Sequence, residues 1–273
     1  MKVDFFKHNL GKDEKDCLNK VVDSTFITTG PVTKRFEDNF ADYLGAQYCV
    51  GVSSWTSGNL ITLKALGIGL GDEVITTPMS FIATSNTIIH SGAKPVFVDV
   101  EPETGNIDAN KIESAITENT KAIIPVHLYG QMCDMKAIKK IANKYGLIII
   151  EDAAHCIEGE RDGIRPGQLS TAAVFSFYAT KNITSGEGGA ITTNDEKLYN
   201  NLLKYRLHGM SKGAAERYAG NYQHWDMELL GYKCNMNDFQ ASLLEPQLKK
   251  IETYLQDRNN ICRQYENALF YLN

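Results

Sequence analysis

The sequence lacks the features that define several large classes of protein. Its strongest apolar run, residues 146–150, is far short of a membrane span and ends at Glu151 and Asp152. Its 6 cysteines are scattered without a C-x-x-C pair, which suits free thiols in a reducing cytoplasm and gives no zinc signature. The first residues contain no signal-peptide core. We therefore expect a cytoplasmic protein with no membrane partner and no metal site.

Charge and glycine spacing argue against two further classes. The formal net charge is −5, which argues against an electrostatic nucleic-acid binder. Glycines at positions 67, 69 and 71 resemble a nucleotide loop, but they follow a predicted helix and precede a predicted strand. That order is wrong for a dinucleotide fingerprint, so we interpret them as a helix end and a turn. A nicotinamide-dependent sugar oxidoreductase is therefore a weaker hypothesis.

Helix and strand patterns alternate through most of the chain, which predicts an α/β fold with a mostly parallel sheet covered by helices on both faces. In such sheets, ligands bind at the carboxyl ends of the strands. From residue 238 to about residue 271 the pattern is one long or broken helix. We predict a large domain over residues 1–240, and a linking helix with the start of an incomplete second domain over residues 241–273. The predicted strands are 73–77, 95–100, 122–126, 147–151, 172–177 and 190–193, and the earlier helices are 56–66, 80–91, 108–116 and 135–145.

One lysine lies in a small, polar, glycine-rich turn between two apolar runs. The segment 176–189 reads S-F-Y-A-T-K-N-I-T-S-G-E-G-G and contains Lys181. Burial between strands would lower the pKa of this lysine and make its neutral amine available for Schiff-base chemistry. A surface lysine in a hairpin is an equally good interpretation of the segment on its own.

Other segments contain residues that could bind a cofactor next to such a lysine. Asp152 ends a buried strand, where a carboxylate could hold a protonated ring nitrogen, as pyridoxal phosphate (PLP) requires. Residues 53–58, S-S-W-T-S-G, precede a helix and could cradle a phosphate, although an ordinary N-cap is the simpler interpretation. Ser176 adds a hydroxyl near Lys181. Phe81 could stack on a flat ring or simply belong to the core.

Taken together, these segments resemble the DegT/DnrJ/StrS family of PLP-dependent sugar aminotransferases. The resemblance rests on Asp152 with His155, on the S-F-Y-x-x-K-x-x-x-x-G-E-G-G stretch, and on G-Y-K-C-N-M-N-D at residues 231–238. It runs from residue 28 to the last helix. It implies the aspartate-aminotransferase fold (fold type I). Because family members continue past position 273, it also implies a truncated C-terminal small domain.

The resemblance also implies a role for each candidate residue. Lys181 would bind the cofactor and shuttle a proton, and Asp152 would pair with the pyridinium nitrogen. His155 would lie against the ring near its phenolic oxygen, with Phe81 on the other face. Four residues would hold the cofactor phosphate, the last of them from the neighbouring subunit of a homodimer: Thr56, Ser57, Ser176 and Lys233.

The G-Y-K-x-N variant, together with K-N-I-T, most resembles the branch that aminates C4 of UDP-4-keto sugars. This implies a transfer of the amino group from L-glutamate to a nucleotide-keto-sugar, with ping-pong kinetics, for surface polysaccharide or glycan biosynthesis. Amination at C3 and a non-catalytic PLP-binding or regulatory homologue are the alternatives. Arg206, His208 and His127 are interpreted as structural residues.

Overall fold

A computed structural model describes residues 2–211 and 226–270. It contains a seven-stranded sheet with the order β1-β7-β6-β5-β4-β2-β3. Strand β7 runs antiparallel to its neighbours β1 and β6, and the other pairs are parallel. The mostly parallel sheet predicted from the alternating pattern is therefore confirmed. The strands are β1 Tyr48–Val52, β2 Glu73–Thr76, β3 Lys94–Phe97, β4 Thr120–Ile123, β5 Ile148–Asp152, β6 Ala172–Ser176 and β7 Gly189–Thr193.

Helices flank this sheet, and the predicted ones are present, but the helix predicted over residues 108–116 is α-helical only over Ala109–Ile112 and continues as a 3-10 turn over Glu113–Ala115. The alternating pattern did not indicate α1, α2, β1 or α7. Proline at the first position of α2 and glycine after its end are signals that could have found that helix. The helices are α1 Lys12–Val22, α2 Pro31–Leu44, α3 Trp55–Ala65, α4 Ala83–Ser91, α5 Ala109–Ile112, α6 Met135–Tyr145, α7 Glu196–Tyr205, α8 Asp238–Leu248 and α9 Ile251–Leu269.

The C-terminal pattern forms two consecutive helices, α8 and α9, which is the broken form of the predicted helix. The apolar residues of α8 lie in the same core as α2 and α6. The predicted end of this region at residue 271, and residues 271–273 of the predicted second domain, lie outside the described residues. The division at residue 240 stays a prediction. In the described part of the chain, no helix is long and apolar enough to cross a membrane.

The two faces of the sheet bury different sets of side chains. Phe175 and Ile149 pack with α2, α6 and α8, whereas Val174 and Ile150 pack with α3, α4 and α7. Successive side chains along a strand point to opposite faces, so each strand contributes to both cores. Asp152 consequently belongs to the face of α3 and α4, whereas its neighbour Glu151 belongs to the other.

Asp238 belongs to the motif at residues 231–238, and its contacts are structural. Its buried carboxylate accepts hydrogen bonds from the backbone N–H groups of Gly30, Val32 and Thr33, and from the Thr33 hydroxyl. These groups form the start of α2, whose first N–H groups have no partner within the helix. A Cβ at Gly30 would lie 2.7 Å from Asp238 Oδ2, so glycine is needed for the close approach.

Asp238→Ala should lower the free energy of unfolding by about 3 kcal/mol, because it leaves several buried donors without an acceptor. The matched control is Asp195→Ala, which removes the N-cap of α7 and a single bond to the Leu198 N–H. Asp195→Ala should lower the free energy of unfolding by about 1 kcal/mol. Chemical denaturation of both variants measures the difference. Equal losses would contradict the role assigned to Asp238.

Arg206 is also structural, as interpreted from the sequence. Its guanidinium is buried, pairs with Glu37 of α2, and donates to the carbonyl of Gly51 at 2.9 Å. Glu37 Oε1 also accepts a hydrogen bond from the Gly51 N–H at 2.7 Å. The pair therefore fastens α2 and the end of α7 to strand β1. His208 is an exposed loop residue with φ 58°, and its interpretation as a satisfied loop histidine stays a prediction.

Candidate active site

The structure brings Lys181 and Asp152 to adjacent strand ends. Asp152 is the last residue of β5, and Lys181 lies five positions after the end of the parallel neighbour β6. Lys181 is half-buried, and no side chain within residues 2–211 and 226–270 forms a hydrogen bond or an ion pair with its amine. Burial lowers the pKa of Lys181, and the charge of Asp152 opposes this effect. Burial therefore shifts the Lys181 amine toward its neutral, nucleophilic form.

Asp152 is 5% exposed and has fixed contacts on both carboxylate oxygens. Oδ2 accepts a hydrogen bond from Thr84 Oγ1 at 2.9 Å, and Oδ1 accepts one from the Ala154 N–H at 3.2 Å. Burial raises the pKa of Asp152 to about 6, while the bonds from Thr84 and Ala154 and the charge of Lys181 oppose the rise. The interpretation of Asp152 as a solvated strand terminus is therefore wrong.

The loop that contains Lys181 is anchored immediately after the lysine. Asn182 donates to the buried carboxylate of Glu158, which also pairs with Arg258 of α9. Gln247 of α8 bonds both the N–H and the carbonyl of Thr184, at 3.0 and 2.8 Å. Helices α8 and α9 thus fix the backbone next to Lys181, which makes the position of the amine reproducible.

The start of α3 lies beside the ends of β1 and β6. Gly189 of β7 pairs with Val52 on one side and with Ser176 on the other. A Cβ at Gly189 would lie 2.7 Å from the backbone nitrogen of Trp55, so the glycine lets α3 approach the sheet. The last glycine of the G-E-G-G sequence therefore has a packing role, and it brings the helix start to the strand ends where Asp152 and Lys181 lie.

This helix start has groups that can bind an anion. Ser54 is the N-cap, and its hydroxyl accepts from the Ser57 N–H at 3.1 Å, so the N-cap interpretation is correct. The first N–H groups of α3, at Trp55 and Thr56, have no acceptor within the helix, and the Thr56 side chain is exposed. Exposed N–H groups at a helix start bind phosphate well. Trp55 itself packs in the core and donates to Val174 O.

His155 and Phe81 have different surroundings. His155 is half-buried and stacks on the ring of Tyr129, with centroids 5.8 Å apart and planes 5° apart. Burial lowers the pKa of His155, and the charge of Lys181 lowers it further. Phe81 is 78% exposed, so its interpretation as a core residue is wrong. Tyr129 was not predicted from the sequence.

Lys233 is an exposed residue on a segment next to the start of α3. The carbonyl of Cys234 accepts from the Ser53 N–H at 2.7 Å, which ties this segment to the residues before α3. The Lys233 amine donates to Asn235 Oδ1, and Asn235 donates to Thr29 Oγ1 at 2.6 Å. No described residue of the S-S-W-T-S segment contacts the Lys233 amine. A contact with a neighbouring subunit stays a prediction.

A buried pair lies behind Asp152 on the opposite face of β5. His127 Nε2 and Glu151 Oε2 are 2.6 Å apart, and the backbone N–H of His127 donates to the Asp152 carbonyl at 3.0 Å. The Cys133 N–H donates to His127 Nδ1, so the ring proton is assigned to Nε2. His127 is thus a residue that orients the strand end, as interpreted from the sequence.

A model of the DegT/DnrJ/EryC1/StrS aminotransferase family matches residues 8–273. The chain belongs to this family. The family resemblance read from the sequence is therefore confirmed, and with it the assignment as a sugar aminotransferase and the cofactor, PLP. In the described part of the chain, no group of His, Cys, Asp or Glu side chains could hold a metal ion.

Individual relatives agree with the family assignment. The spore coat polysaccharide biosynthesis protein SpsC of Bacillus subtilis is 45% identical over 95% of this chain and 67% of its own length. GDP-perosamine synthase of Caulobacter vibrioides is 39% identical over 95% of this chain and 68% of its own length. The chain thus spans about two thirds of the length of these curated relatives.

Solved structures confirm the fold class. The putative sugar aminotransferase Spr1654 of Streptococcus pneumoniae, in its pyridoxamine-phosphate form, matches with a TM-score of 0.93 and 32% identity. The match covers 98% of this chain and 72% of that protein. A PLP form and an apo form of the same protein also match. The predicted fold type I architecture is therefore correct for this aminotransferase.

The residues present fit the cofactor. A half-buried amine that has no partner among the described residues can bind an aldehyde, and Oδ1 of a buried carboxylate can accept from a ring nitrogen. Unpaired N–H groups at the start of α3 can bind a phosphate. These groups occur at adjacent strand ends, where sheets of this kind bind their ligands.

Proposed function

We propose that this aminotransferase moves an amino group from L-glutamate to the ketone of a nucleotide-linked 4-keto sugar, for surface polysaccharide or glycan biosynthesis. The observation that carries the chemistry is the half-buried Lys181 amine, with no hydrogen-bond partner in the described part of the chain, near the buried Asp152. The relatives named for spore coat polysaccharide biosynthesis and for GDP-perosamine synthesis support the substrate class. The G-Y-K-x-N and K-N-I-T variants support position C4.

Bound PLP would supply an electron sink and carry the amino group between the two half-reactions. Lys181 would hold its aldehyde carbon and, once released, take a proton from the amino-acid carbon and return it at the cofactor carbon. Its lowered pKa suits this work, because a general base acts best in its neutral form. Asp152 Oδ1 would keep the proton on the ring nitrogen.

The other candidate residues would hold the cofactor in place. The phosphate would be bound by Thr56, Ser57 and the N–H groups at the start of α3. Ser176, which pairs with Gly189 in the sheet, would bind it as well. His155 would lie on one face of the ring. Phe81, whose apolar ring is exposed, would cover the other face and exclude water from it.

Stopped-flow absorbance with L-glutamate tests the first half-reaction, and a panel of nucleotide-keto-sugars tests the second. Initial rates at varied glutamate and sugar should give the parallel lines of ping-pong kinetics. Amination of a 3-keto sugar alone would shift the assignment to C3. Cofactor binding without any spectral response to amino donors would instead support the non-catalytic alternative.

Lys233→Ala should weaken PLP binding by about tenfold, because a charged hydrogen bond to phosphate is lost. We propose that Lys233 reaches the site of the partner in a homodimer. Mixing Lys233→Ala with Lys181→Ala subunits should then restore activity at limiting PLP, since one site of each mixed dimer is intact. If Lys233 served its own subunit, mixing would restore nothing. Equilibrium dialysis with PLP and activity of the mixtures measure both effects.

A further inference from the structure

Thr84 on α4 makes the one side-chain hydrogen bond to Asp152 among the described residues. Its hydroxyl is buried, with 1% of the residue exposed, and lies 2.9 Å from Asp152 Oδ2. An ionised carboxylate only accepts, so the Thr84 proton is donated to Oδ2. Ser80 Oγ lies 2.7 Å from Thr84 Oγ1 and therefore donates in turn. The result is a directed chain of hydroxyls that ends on Asp152.

Thr84 is itself held in place by α3. The Thr87 hydroxyl donates to the Thr84 carbonyl at 3.0 Å and accepts from Asn59 Nδ2 at 2.7 Å. Asn59 is fully buried in α3. Thr84 and Thr87 lie on one face of α4, and Ser80 lies three residues before the helix starts, so the Thr84 hydroxyl contacts Ser80 and the Thr84 carbonyl contacts Thr87. The helix that carries the candidate phosphate site thus also fixes the residue that contacts Asp152.

Because of this contact, the two carboxylate oxygens of Asp152 have different hydrogen-bond partners. Oδ2 is occupied by Thr84, whereas Oδ1 accepts only the 3.2 Å bond from Ala154 N and keeps capacity for another donor. We propose that Thr84 is a positioning residue that orients the Asp152 carboxylate and keeps it ionised, so that Oδ1 is the oxygen that pairs with the cofactor ring nitrogen. This inference rests on the proposed function.

The charged and titratable groups around Asp152 come from three segments. Lys181 lies on the β6–β7 loop, His155 follows β5, and His127 follows β4 with its ring paired to Glu151. Burial already raises the pKa of Asp152 to about 6. A hydrogen bond to the ionised form opposes that rise, so loss of the Thr84 hydroxyl brings the carboxylate closer to neutrality at physiological pH.

The experiment compares Thr84→Val, which removes the hydroxyl at nearly constant volume, with Thr84→Ser, which keeps it. Infrared difference titration of the cofactor-free protein follows the Asp152 carboxyl, with Asp152→Asn as the reference that assigns the band. We expect the midpoint in Thr84→Val to rise by about one pH unit or more, and that in Thr84→Ser to stay near the wild type. An unchanged midpoint in Thr84→Val overturns the inference.

The holoenzyme gives a second readout. The rate of the glutamate half-reaction in Thr84→Val should fall by about tenfold near pH 6 and recover as pH rises, with Thr84→Ser close to wild type at all pH values. A loss that is equal at every pH in both variants would indicate a merely structural role and overturn the proposal. If Thr84→Val does not fold, Ser80→Ala replaces it, with a smaller upward shift expected and no shift overturning the inference.

The two readouts separate this inference from the proposed function. The infrared titration requires neither cofactor nor substrate, so an unchanged midpoint rejects the role of Thr84 alone. A raised midpoint combined with a wild-type protein that shows no half-reaction with any amino donor would reject the proposed function instead.

Discussion

Lys181→Ala should reduce the rate of the glutamate half-reaction by about 10⁴-fold, because it removes both the amine that holds the cofactor and the base that moves the proton. The free energy of unfolding should stay within about 0.5 kcal/mol of the wild type, since the Lys181 amine has no partner in the described part of the chain. Single-turnover absorbance and denaturant unfolding measure the two quantities.

Lys197→Ala is the matched control. Lys197 is an exposed residue of α7, away from the strand ends that carry the site, so its removal should change neither quantity. Normal turnover in Lys181→Ala would show that the role assigned to Lys181 is wrong. A large loss of stability with that variant would show that the lysine has a structural contact.

Asp152→Asn should reduce the same rate by about 10³-fold, because a neutral amide cannot stabilise a protonated ring nitrogen as a carboxylate does. The matched control is Asp99→Asn, which neutralises an exposed carboxylate just after β3. That variant should keep the wild-type rate. Wild-type rates in Asp152→Asn would show that the carboxylate does not act on the cofactor ring.

Asp152→Asn should also change how the stability of the cofactor-free protein depends on pH. The pKa of Asp152 is raised from 3.8 to about 6 in the folded state. Between these values the folded state holds a proton that the unfolded chain releases, so Asp152 makes the protein less stable as pH rises through this window. The loss is up to about 3 kcal/mol and should be absent from Asp152→Asn.

Denaturation of both proteins from pH 3.5 to pH 8 measures this effect. The stability of the wild type relative to Asp152→Asn should fall between pH 4 and pH 7 and be constant outside that range. A difference that is constant across the whole range would mean that Asp152 has an ordinary pKa in the cofactor-free protein.

Much of the site was predictable because its residues come from short, continuous segments. Asp152 ends an apolar run and Lys181 lies between two, so the sequence indicates that both follow buried strands. The sequence could not show that Asp152 and Ser176 share one face with the start of α3, since this depends on the register of β6 with β5 and β7. That register joins residues far apart in the chain.

Thr84 illustrates a residue that sequence reasoning missed. Its importance comes from a contact with Asp152, 68 positions later in the chain. A threonine near a helix start is common and has no local signal that distinguishes it. The serine and threonines at positions 80, 84 and 87 are the pattern that could have pointed to a polar cluster at the start of α4.

The sequence by itself determined the alternating α/β architecture, the lysine turn, the carboxylate at a strand end and the family. These features depend on local periodicity and on short motifs, which are readable without contacts. Only the tertiary structure decided that Asp238 is structural, that Phe81 is exposed, and that Thr84 contacts Asp152. Those properties depend on which distant segments pack together and on which polar groups are removed from water, and local sequence patterns do not determine either.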